Sequence, residues 1–398
     1  MSAIPSRHVG TFLLIVAGTI VGIAGTDLVL PAVPGLPAIL GGDLARAQLV
    51  LASFTAGSAA GLLMFGALGA RFDQRGLLAA SLAGYALLSL ACGLSPSLDI
   101  LIALRFLQGA AGSAAAVFAP GLLRRLYGDD RAVGALGILG SVESLVPALA
   151  PLVGLWLLAA WGWQASFDAL AIVAALLAAT VLLRHQHLPR LVTSRATGGY
   201  ARLLRDGTFL RYALSHACTL GALLIFVFGA PTVFTTALGG SIGDFIVMQV
   251  SGILCFILGA NAAGALARRH GAERMIMIGT AMAAIGGLAL LAYALAGGGD
   301  PRAITAIFLS LNFGLALRGP PGFHRAIVAA RGDDARGAAL VVVAILLTTS
   351  LGTAIVAPFI TLGLVPLAAG TAAVAVTGVA LLILLPALRD AQVSGTQY

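Results

Sequence analysis

Long apolar runs separated by short polar stretches make up nearly the whole chain. Twelve of these runs are long enough to cross a bilayer as an α-helix, which takes about 20 residues. The predicted membrane helices cover residues 11–34, 47–69, 77–94, 98–122, 133–158, 163–183, 212–236, 245–267, 275–296, 303–322, 337–359 and 362–385. No polar stretch between them is long enough for a soluble domain, so the pattern predicts an all-α membrane protein.

Composition supports this prediction. Hydrophobic residues make up 60% of the 398 residues and charged residues only 10%, whereas a soluble globular protein carries about 25% charged residues. The first apolar run begins shortly after Arg7 and His8, is long, and has no clear small-residue cleavage site. We therefore expect it to be the first membrane helix and not a removed signal peptide.

The arginines set the expected orientation. If the N-terminus is inside, only Arg46 and Arg302 lie in outer loops, Arg105 and Arg318 lie within helices, and the remaining 19 of the 23 basic residues lie on the cytoplasmic side. This distribution obeys the positive-inside rule and predicts an even number of helices with both termini cytoplasmic. Arg318 precedes Gly319, and we expect its side chain to extend to the cytoplasmic face.

The two halves of the chain resemble each other. The longest polar stretch divides six predicted helices from six, giving an N-terminal half (1–185), a cytoplasmic linker (186–211) and a C-terminal half (212–398). Similar loops follow the second and eighth helices, at Gly66–Arg71 and Gly264–Arg269. Such duplication predicts two pseudo-symmetric six-helix bundles.

Three helices and one loop carry recognisable motifs. Asp27 begins a D-x-x-x-P pattern in the first helix, and Leu101–Gly112 in the fourth reads L-x-x-x-R-x-x-Q-G-x-x-G. The fifth helix carries a proline–glycine pattern, followed by W-x-x-x-F from Trp163. The motif of the fourth helix singles out Arg105, Gln108, Gly109 and Gly112. The proline–glycine pattern of the fifth helix singles out Pro147, Pro151 and Gly154.

With these motifs the chain resembles the major facilitator superfamily, in its twelve-helix drug:proton antiporter branch of Bcr/CflA-like multidrug and sugar efflux permeases. The resemblance covers essentially the whole chain. It implies a proton-coupled secondary transporter in a bacterial inner membrane that exports small, lipophilic molecules by alternating access, with helix-packing and gating roles for the glycines and prolines above and for Arg71. The loop after the second helix, Gly66–Arg71, departs from the family pattern. Ala70 stands where the family usually carries an aspartate that locks the inner gate. A proton-linked importer of a nutrient, sugar or siderophore on the same fold is the alternative.

Asp27 is the candidate proton carrier. It lies about 24 Å along the first helix at 1.5 Å per residue, and its helical neighbours are apolar. Surroundings poor in water favour the neutral carboxyl, and a carboxyl that can gain and lose a proton within a membrane suits proton coupling. The alternative is a structural aspartate that bonds to backbone freed by Pro31.

Arg105 is the candidate partner of that acid. It lies about 10 Å into the fourth helix, at a depth similar to that of Asp27, and an arginine in lipid requires a partner or water. We hypothesise that Arg105 senses or relays the charge of Asp27, so that protonation and substrate binding compete. The alternative is a static ion pair that stabilises the fold.

Three further polar residues are candidates for the substrate cavity. Glu143 lies near the middle of the fifth helix, on a stripe with Pro147 and Gly154, where lipid would reject its carboxylate. It is interpreted as a substrate contact or a second proton site, or else as a buried, hydrogen-bonded glutamate. Gln108 and Asn312 are the other two, and for Asn312 a role in helix packing is the alternative.

Other classes of function lack their sequence signals. The chain contains no lysine and no Walker motif, so ATP is not expected as its energy source. Hydrolase motifs and metal-ligand spacings are missing, and no cofactor, enzymatic activity or nucleic-acid partner is expected. The expected partners are a small-molecule substrate, protons and the lipid bilayer, with the protein as a monomer.

Overall fold

The computed structural model describes residues 9–69, 71–184, 200–331 and 333–388. All regular secondary structure within these ranges is helical. Ala70, much of the predicted linker and both ends of the chain lie outside the described residues.

Twelve long helices follow one another along the described chain. Their bounds are Val9–Asp27 (α1), Leu44–Gly69 (α2), Gln74–Gly93 (α3), Leu98–Gly112 (α4), Ala114–Trp161 (α5), Ala165–Leu183 (α6), Gly207–Thr236 (α7), Ile242–His270 (α8), Ala272–Leu295 (α9), Pro301–Ala329 (α10), Asp334–Val356 (α11) and Leu364–Leu384 (α12). Short helical turns cover Leu30–Gly35, Leu36–Leu40, Tyr200–Leu203 and Ala357–Leu362.

The prediction of twelve membrane helices is confirmed. Twelve helical segments of the described chain are long and apolar enough to cross a membrane. The fourth, Leu98–Tyr127, combines α4 with the start of α5, and the fifth, Ile138–Trp161, is the C-terminal half of α5. The polar stretch between these two segments was expected to be a loop, but its backbone is helical.

The chain forms two compact units, Met1–Ala196 and Thr197–Tyr398, which contain α1–α6 and α7–α12 respectively. The helices pair in the same way in both units. α2 packs on α4 as α8 packs on α10, α3 packs on α6 as α9 packs on α12, and α1 packs on α5 as α7 packs on α11. The fold is therefore two pseudo-symmetric six-helix bundles, as the duplicated loops predicted.

Glycines allow the closest of these helix pairs. A Cβ atom on Gly57 of α2 would overlap the carbonyl oxygen of Phe106 in α4, and one on Gly61 would overlap that of Ala110. Because lipid tails are as apolar as the side chains, helices in a membrane associate through such close packing and not through the hydrophobic effect. The contact between α2 and α4 positions Arg105 against α2.

Candidate functional site

Asp27 is the last residue of α1, at the point where the first membrane segment stops being a regular α-helix. Pro31 has no backbone N–H to donate to the Asp27 carbonyl, so the helix cannot continue in register. The chain proceeds as a 3₁₀ turn from Leu30 to Gly35. The side chain of Asp27 is 8% exposed, and its carboxyl group has no hydrogen-bond or ion-pair partner within the described residues.

Two other helices contact the break in α1. The hydroxyl of Ser166 in α6 donates to the carbonyl oxygen of Leu28 at 3.0 Å. A Cβ atom on Gly154 in α5 would overlap that same oxygen. The predicted packing glycine and the serine within the W-x-x-x-F motif therefore both act on the backbone next to Asp27, which explains why this sequence accommodates a broken helix there.

Arg105 lies fully buried in α4, with no exposed surface. Its Nη1 donates to Oε1 of Gln108 at 2.7 Å, and its Nε donates to the carbonyl oxygen of Val50 at 3.3 Å. The guanidinium carbon stands 4.0 Å from the centre of the Phe54 ring. Of its three nitrogens, only Nη2 has no partner in the part of the chain that the structure describes. The cation is thus held by neutral oxygens and an aromatic face.

A chain of hydrogen bonds extends from Arg105 to α3 and α1. Gln108 donates through Nε2 to the Ser89 hydroxyl at 2.7 Å, and Ser89 donates to the Tyr85 carbonyl at 2.7 Å. The Tyr85 hydroxyl donates to the carbonyl oxygen of Val21 in α1 at 3.1 Å. Our sequence analysis did not identify Tyr85 and Ser89, although two polar residues four apart in an apolar helix lie on one face.

Gly109 and Gly112 are placed as packing residues. A Cβ atom on Gly109 would overlap the Phe54 carbonyl oxygen, and one on Gly112 would lie 2.9 Å from the Tyr85 ring. Both glycines therefore keep α4 close enough to α2 and α3 for Arg105 and Gln108 to reach their partners. Of the two prolines in α5 that we singled out, Pro151 is buried and Pro147 is partly exposed.

Asp27 and Arg105 do not form the static ion pair that is the alternative to a relay role for Arg105, since the Asp27 carboxyl has no ion-pair partner within the described residues. The ring of Phe54 contacts the guanidinium of Arg105 with its face, and its edge lies 2.7 Å from the Cβ position of Gly25, two residues before Asp27. Arg105 instead donates hydrogen bonds to the Gln108 side chain and to the Val50 carbonyl oxygen. Sequence depth placed the two charges at a similar level, but it could not show that an aromatic ring is inserted at this level between α4 and α1.

Glu143 also adjoins α1. Its side chain is partly exposed, and its carboxyl group lies within hydrogen-bond reach of the Thr19 hydroxyl. Thr19 precedes Asp27 by eight residues, or about 12 Å along the helix. The first membrane helix therefore has two acidic side chains along its length, one of its own and one from α5.

Asn312 in the second unit is a buried amide, 4% exposed. Its Nδ2 donates to the carbonyl oxygen of Phe308 in its own helix at 3.1 Å. A Cβ atom on Gly252 in α8 would lie 2.8 Å from that nitrogen. These contacts belong to the packing of α8 against α10, and they favour the packing alternative over a cavity-lining role.

Arg318 corrects one expectation. Its side chain has no exposed surface and donates from Nη2 to the Ser215 hydroxyl at 3.1 Å, so it does not extend to the cytoplasmic face. The physical reason is that α10 continues to Ala329, about 16 Å beyond Arg318. Gly322, one turn further on, leaves the space that the guanidinium occupies.

A cluster around Glu273, missed by the sequence analysis, ties four helices of the second unit together. Arg211 pairs with Glu273, Tyr212 donates to it at 2.8 Å, and Arg325 lies 3.5 Å from it. Arg211 also donates to the Leu385 carbonyl at the end of α12 at 2.7 Å. The cluster has one acid for two buried arginines, so Glu273 anchors α7, α9, α10 and α12 at this end.

The loop after α2 has an acid, although not at the position the family pattern uses. Arg71 is exposed, and Ala70 lies outside the described residues. Asp73 accepts from the Arg75 backbone N–H and so caps α3, and its Oδ2 lies 3.0 Å from Nη2 of Arg75. An acid–base pair is therefore present three residues beyond the position of the missing aspartate.

Comparison with known proteins places these features in a family. The model of the Major Facilitator Superfamily matches residues 15–357. A chloramphenicol resistance protein of Pseudomonas aeruginosa is 30% identical over 280 residues, which are 68% of this chain and 65% of that protein. A bicyclomycin resistance protein homolog of Haemophilus influenzae is 26% identical over 278 residues, 68% of this chain and 70% of that protein. Multidrug resistance protein MdtL of Escherichia coli O157:H7 is 25% identical over 228 residues, 57% and 58% respectively. The match spans less than two thirds of the Pseudomonas protein and of MdtL.

Proposed function

The chain belongs to the Major Facilitator Superfamily, and on that premise we propose that it is a proton-coupled antiporter that exports small, lipophilic molecules by alternating access. The observation that carries this proposal is that Asp27, within a membrane segment, is 8% exposed and its carboxyl has no partner among the described residues. Related proteins named for resistance to chloramphenicol, bicyclomycin and multiple drugs support the direction of transport. The membrane is the bacterial inner membrane, with both termini cytoplasmic and the protein acting as a monomer.

Asp27 carries the proton in this scheme. A charged carboxylate that is buried without a partner is very unfavourable, so the conformation described above corresponds to the protonated acid. A proton taken from the outside neutralises Asp27 and disfavours the substrate. Release of that proton to the cytoplasm leaves a carboxylate that needs a partner, and the substrate-competent site forms in that state.

Arg105 is the partner that the deprotonated state recruits. Its Nη2 is the one nitrogen of this guanidinium without an acceptor among the described residues, and an Arg–carboxylate hydrogen bond is about twice as strong as one between neutral groups. The Phe54 ring has to move aside before that nitrogen can reach Asp27. The charge of Asp27 is thereby linked to the packing of α2 against α1 and α4. Proton transport is coupled to substrate binding because the free energy of substrate binding differs between the states with protonated and with deprotonated Asp27.

Glu143 contributes to substrate recognition, as a direct contact or a second proton site. It is partly exposed and needs no protein cation to satisfy it, so it can meet a cationic or hydrogen-bonding group of the substrate. Both polar atoms of the Gln108 side chain bond to protein partners, and the Asn312 Nδ2 bonds to a backbone carbonyl in its own helix. We therefore assign Gln108 a positioning role for Arg105, and we assign Asn312 to helix packing.

The change Glu143→Gln should alter substrate range. Removal of the negative charge should raise the concentration of a cationic compound needed for half-maximal transport by about tenfold, or about 1.4 kcal/mol, and should spare neutral compounds. Transport of matched cationic and neutral compounds into inverted vesicles measures this. Asp168→Asn, which removes an exposed acid of the same unit, serves as the control. An unchanged profile across both classes would assign Glu143 a purely structural role.

The function itself is tested in a host that lacks its own drug pumps. Expression should raise resistance to small lipophilic compounds and lower their accumulation, and a protonophore uncoupler should restore accumulation to the level of the empty host. Accumulation that rises with expression and depends on an inward proton gradient would instead identify a proton-linked importer. Resistance that persists unchanged with the uncoupler would reject proton coupling.

A further inference from the structure

A basic cavity lies at one end of the second unit, separate from the residues proposed for transport. It has a volume of about 650 Å³ and is open to the surface, and its lining residues are Ala201, Arg202, Arg205, Asp206, Gly207 and Arg331. Three of these six residues carry guanidinium cations and one carries a carboxylate. The volume lies within the range of roughly 300–1,000 Å³ that is common for small-ligand sites.

The three arginines are not neutralised to the same extent. Arg202 donates to the Ala330 carbonyl at 2.7 Å and lies 3.9 Å from Asp333. Arg331 lies 3.5 Å from Asp206. Arg205 is exposed and its guanidinium has no partner within the described residues. The cavity therefore retains positive charge and free N–H donors that a bound anion would satisfy.

Asp206 does not make this cavity unsuitable for an anion. Its Oδ1 accepts from the backbone N–H groups of Thr208 and Phe209 at the start of α7, at 2.9 and 3.2 Å. The carboxylate thus caps the helix, and the helix N-terminus is not available as an anion site. The Oδ2 of Asp206 also lies 3.5 Å from Nη2 of Arg331, but one lining carboxylate faces three lining arginines, so the cavity keeps a net positive charge for a ligand.

Arg331 occupies an unusual backbone position. Its φ of +52° is the only positive φ of a non-glycine residue within the described chain. The residue follows the C-cap of α10, a position that glycine fills in most helices because it has no Cβ atom to clash there. The arginine side chain is present here at a conformational cost, and 57% of it is exposed at the cavity.

We propose that this cavity binds the phosphate-bearing headgroup of an anionic phospholipid. Gly207, which lines the cavity, is the first residue of α7, a helix of 30 residues that is long and apolar enough to cross a membrane. At 1.5 Å per residue such a helix is about 45 Å long, close to the thickness of a bilayer that includes its headgroup regions, so the end of α7 lies at the level of the lipid phosphates. Leu204, beside Arg205, is 55% exposed and offers an apolar contact next to the cations. Basic pockets at this level, on the side that the positive-inside rule assigns to the cytoplasm, fit anionic headgroups.

Lipid binding to the purified full-length chain in neutral detergent tests the proposal. Native mass spectrometry gives the affinity of the first bound lipid for phosphatidylglycerol and for phosphatidylcholine. Phosphatidylglycerol should bind more tightly, and Arg205→Gln and Arg331→Gly should each weaken it about fivefold, as expected for the loss of one cation near a lipid phosphate. Arg331→Gly is the sharper variant, because glycine suits the positive φ and the melting temperature should not fall.

Arg274→Gln is the matched control, since Arg274 is an exposed arginine in the first turn of α9 that does not line the cavity. It should bind phosphatidylglycerol as the unchanged protein does. The proposal is overturned if Arg274→Gln weakens binding as much as Arg331→Gly, or if Arg331→Gly has no effect. Displacement of the lipid by millimolar inorganic phosphate, against chloride at equal ionic strength, would identify a site for free phosphate and overturn the lipid assignment.

Discussion

Replacing Asp27 by asparagine should abolish substrate accumulation driven by a pH gradient in proteoliposomes. A one-unit gradient stores about 1.4 kcal/mol per proton, which supports up to about tenfold accumulation if one proton is exchanged per substrate. The asparagine amide cannot carry a proton, so we expect the accumulation ratio to fall to about one and its dependence on pH to disappear. The side chains have nearly the same size, so the packing at the end of α1 should be retained.

Two measurements make this result interpretable. The melting temperature in detergent should stay within a few degrees of the original, because Asp27 has no partner to lose among the described residues. Asp168→Asn, which changes an exposed acid in the first turn of α6, should leave gradient-driven accumulation intact. Full coupled transport by the Asp27→Asn protein would remove Asp27 from the mechanism.

Replacing Arg105 by lysine should impair both folding and coupled transport. Lysine keeps the charge but cannot bond to Gln108 and to the Val50 carbonyl at once, and it loses the planar contact with Phe54. Each lost hydrogen bond of a charged group is worth about 1.5–3 kcal/mol, so we expect a clear drop in melting temperature. Gradient-driven transport should fall at least about tenfold.

The positioning role of Arg105 needs a readout that instability alone does not change. If Arg105 pairs with the deprotonated Asp27, the lysine variant should also shift the pH at which transport is half-maximal, measured on the folded fraction. Arg46→Lys is the control, because Arg46 forms an exposed ion pair with Asp99, and exposed pairs contribute at most about 1 kcal/mol. An unchanged pH profile with a lowered melting temperature would leave Arg105 as a residue that only stabilises the fold.

The membrane helices could be predicted well because the bilayer imposes a simple rule on each of them. The predicted segment 275–296 corresponds to α9 at Ala272–Leu295. The ends of the helices were less predictable. For example, hydropathy predicts that α10 ends at residue 322, but the helix continues to Ala329. Hydropathy marks the part of a helix that lies in lipid, whereas the helix ends where a cap or a turn becomes more favourable.

The candidate site was predictable only in part. Asp27, Arg105 and Gln108 could be recognised because ionisable and polar residues stand out in apolar segments. Their partners could not, because Tyr85, Ser89 and Phe54 are ordinary residues until the packing of α3 and α2 brings them beside Arg105. The same reason explains why the Glu273 cluster, formed by residues far apart in the chain, was missed.

The order of apolar and polar residues by itself determined the number of membrane segments, the division into two similar halves and the presence of Asp27 and Arg105 within membrane helices. These properties depend on transfer of each segment into lipid, which is a local and nearly additive free energy. Only the tertiary structure decided that Arg105 bonds to Gln108 and not to Asp27, and that Arg318 is enclosed within its own bundle. A buried guanidinium takes whichever acceptors the neighbouring helices present, and that choice depends on close packing between segments distant in sequence.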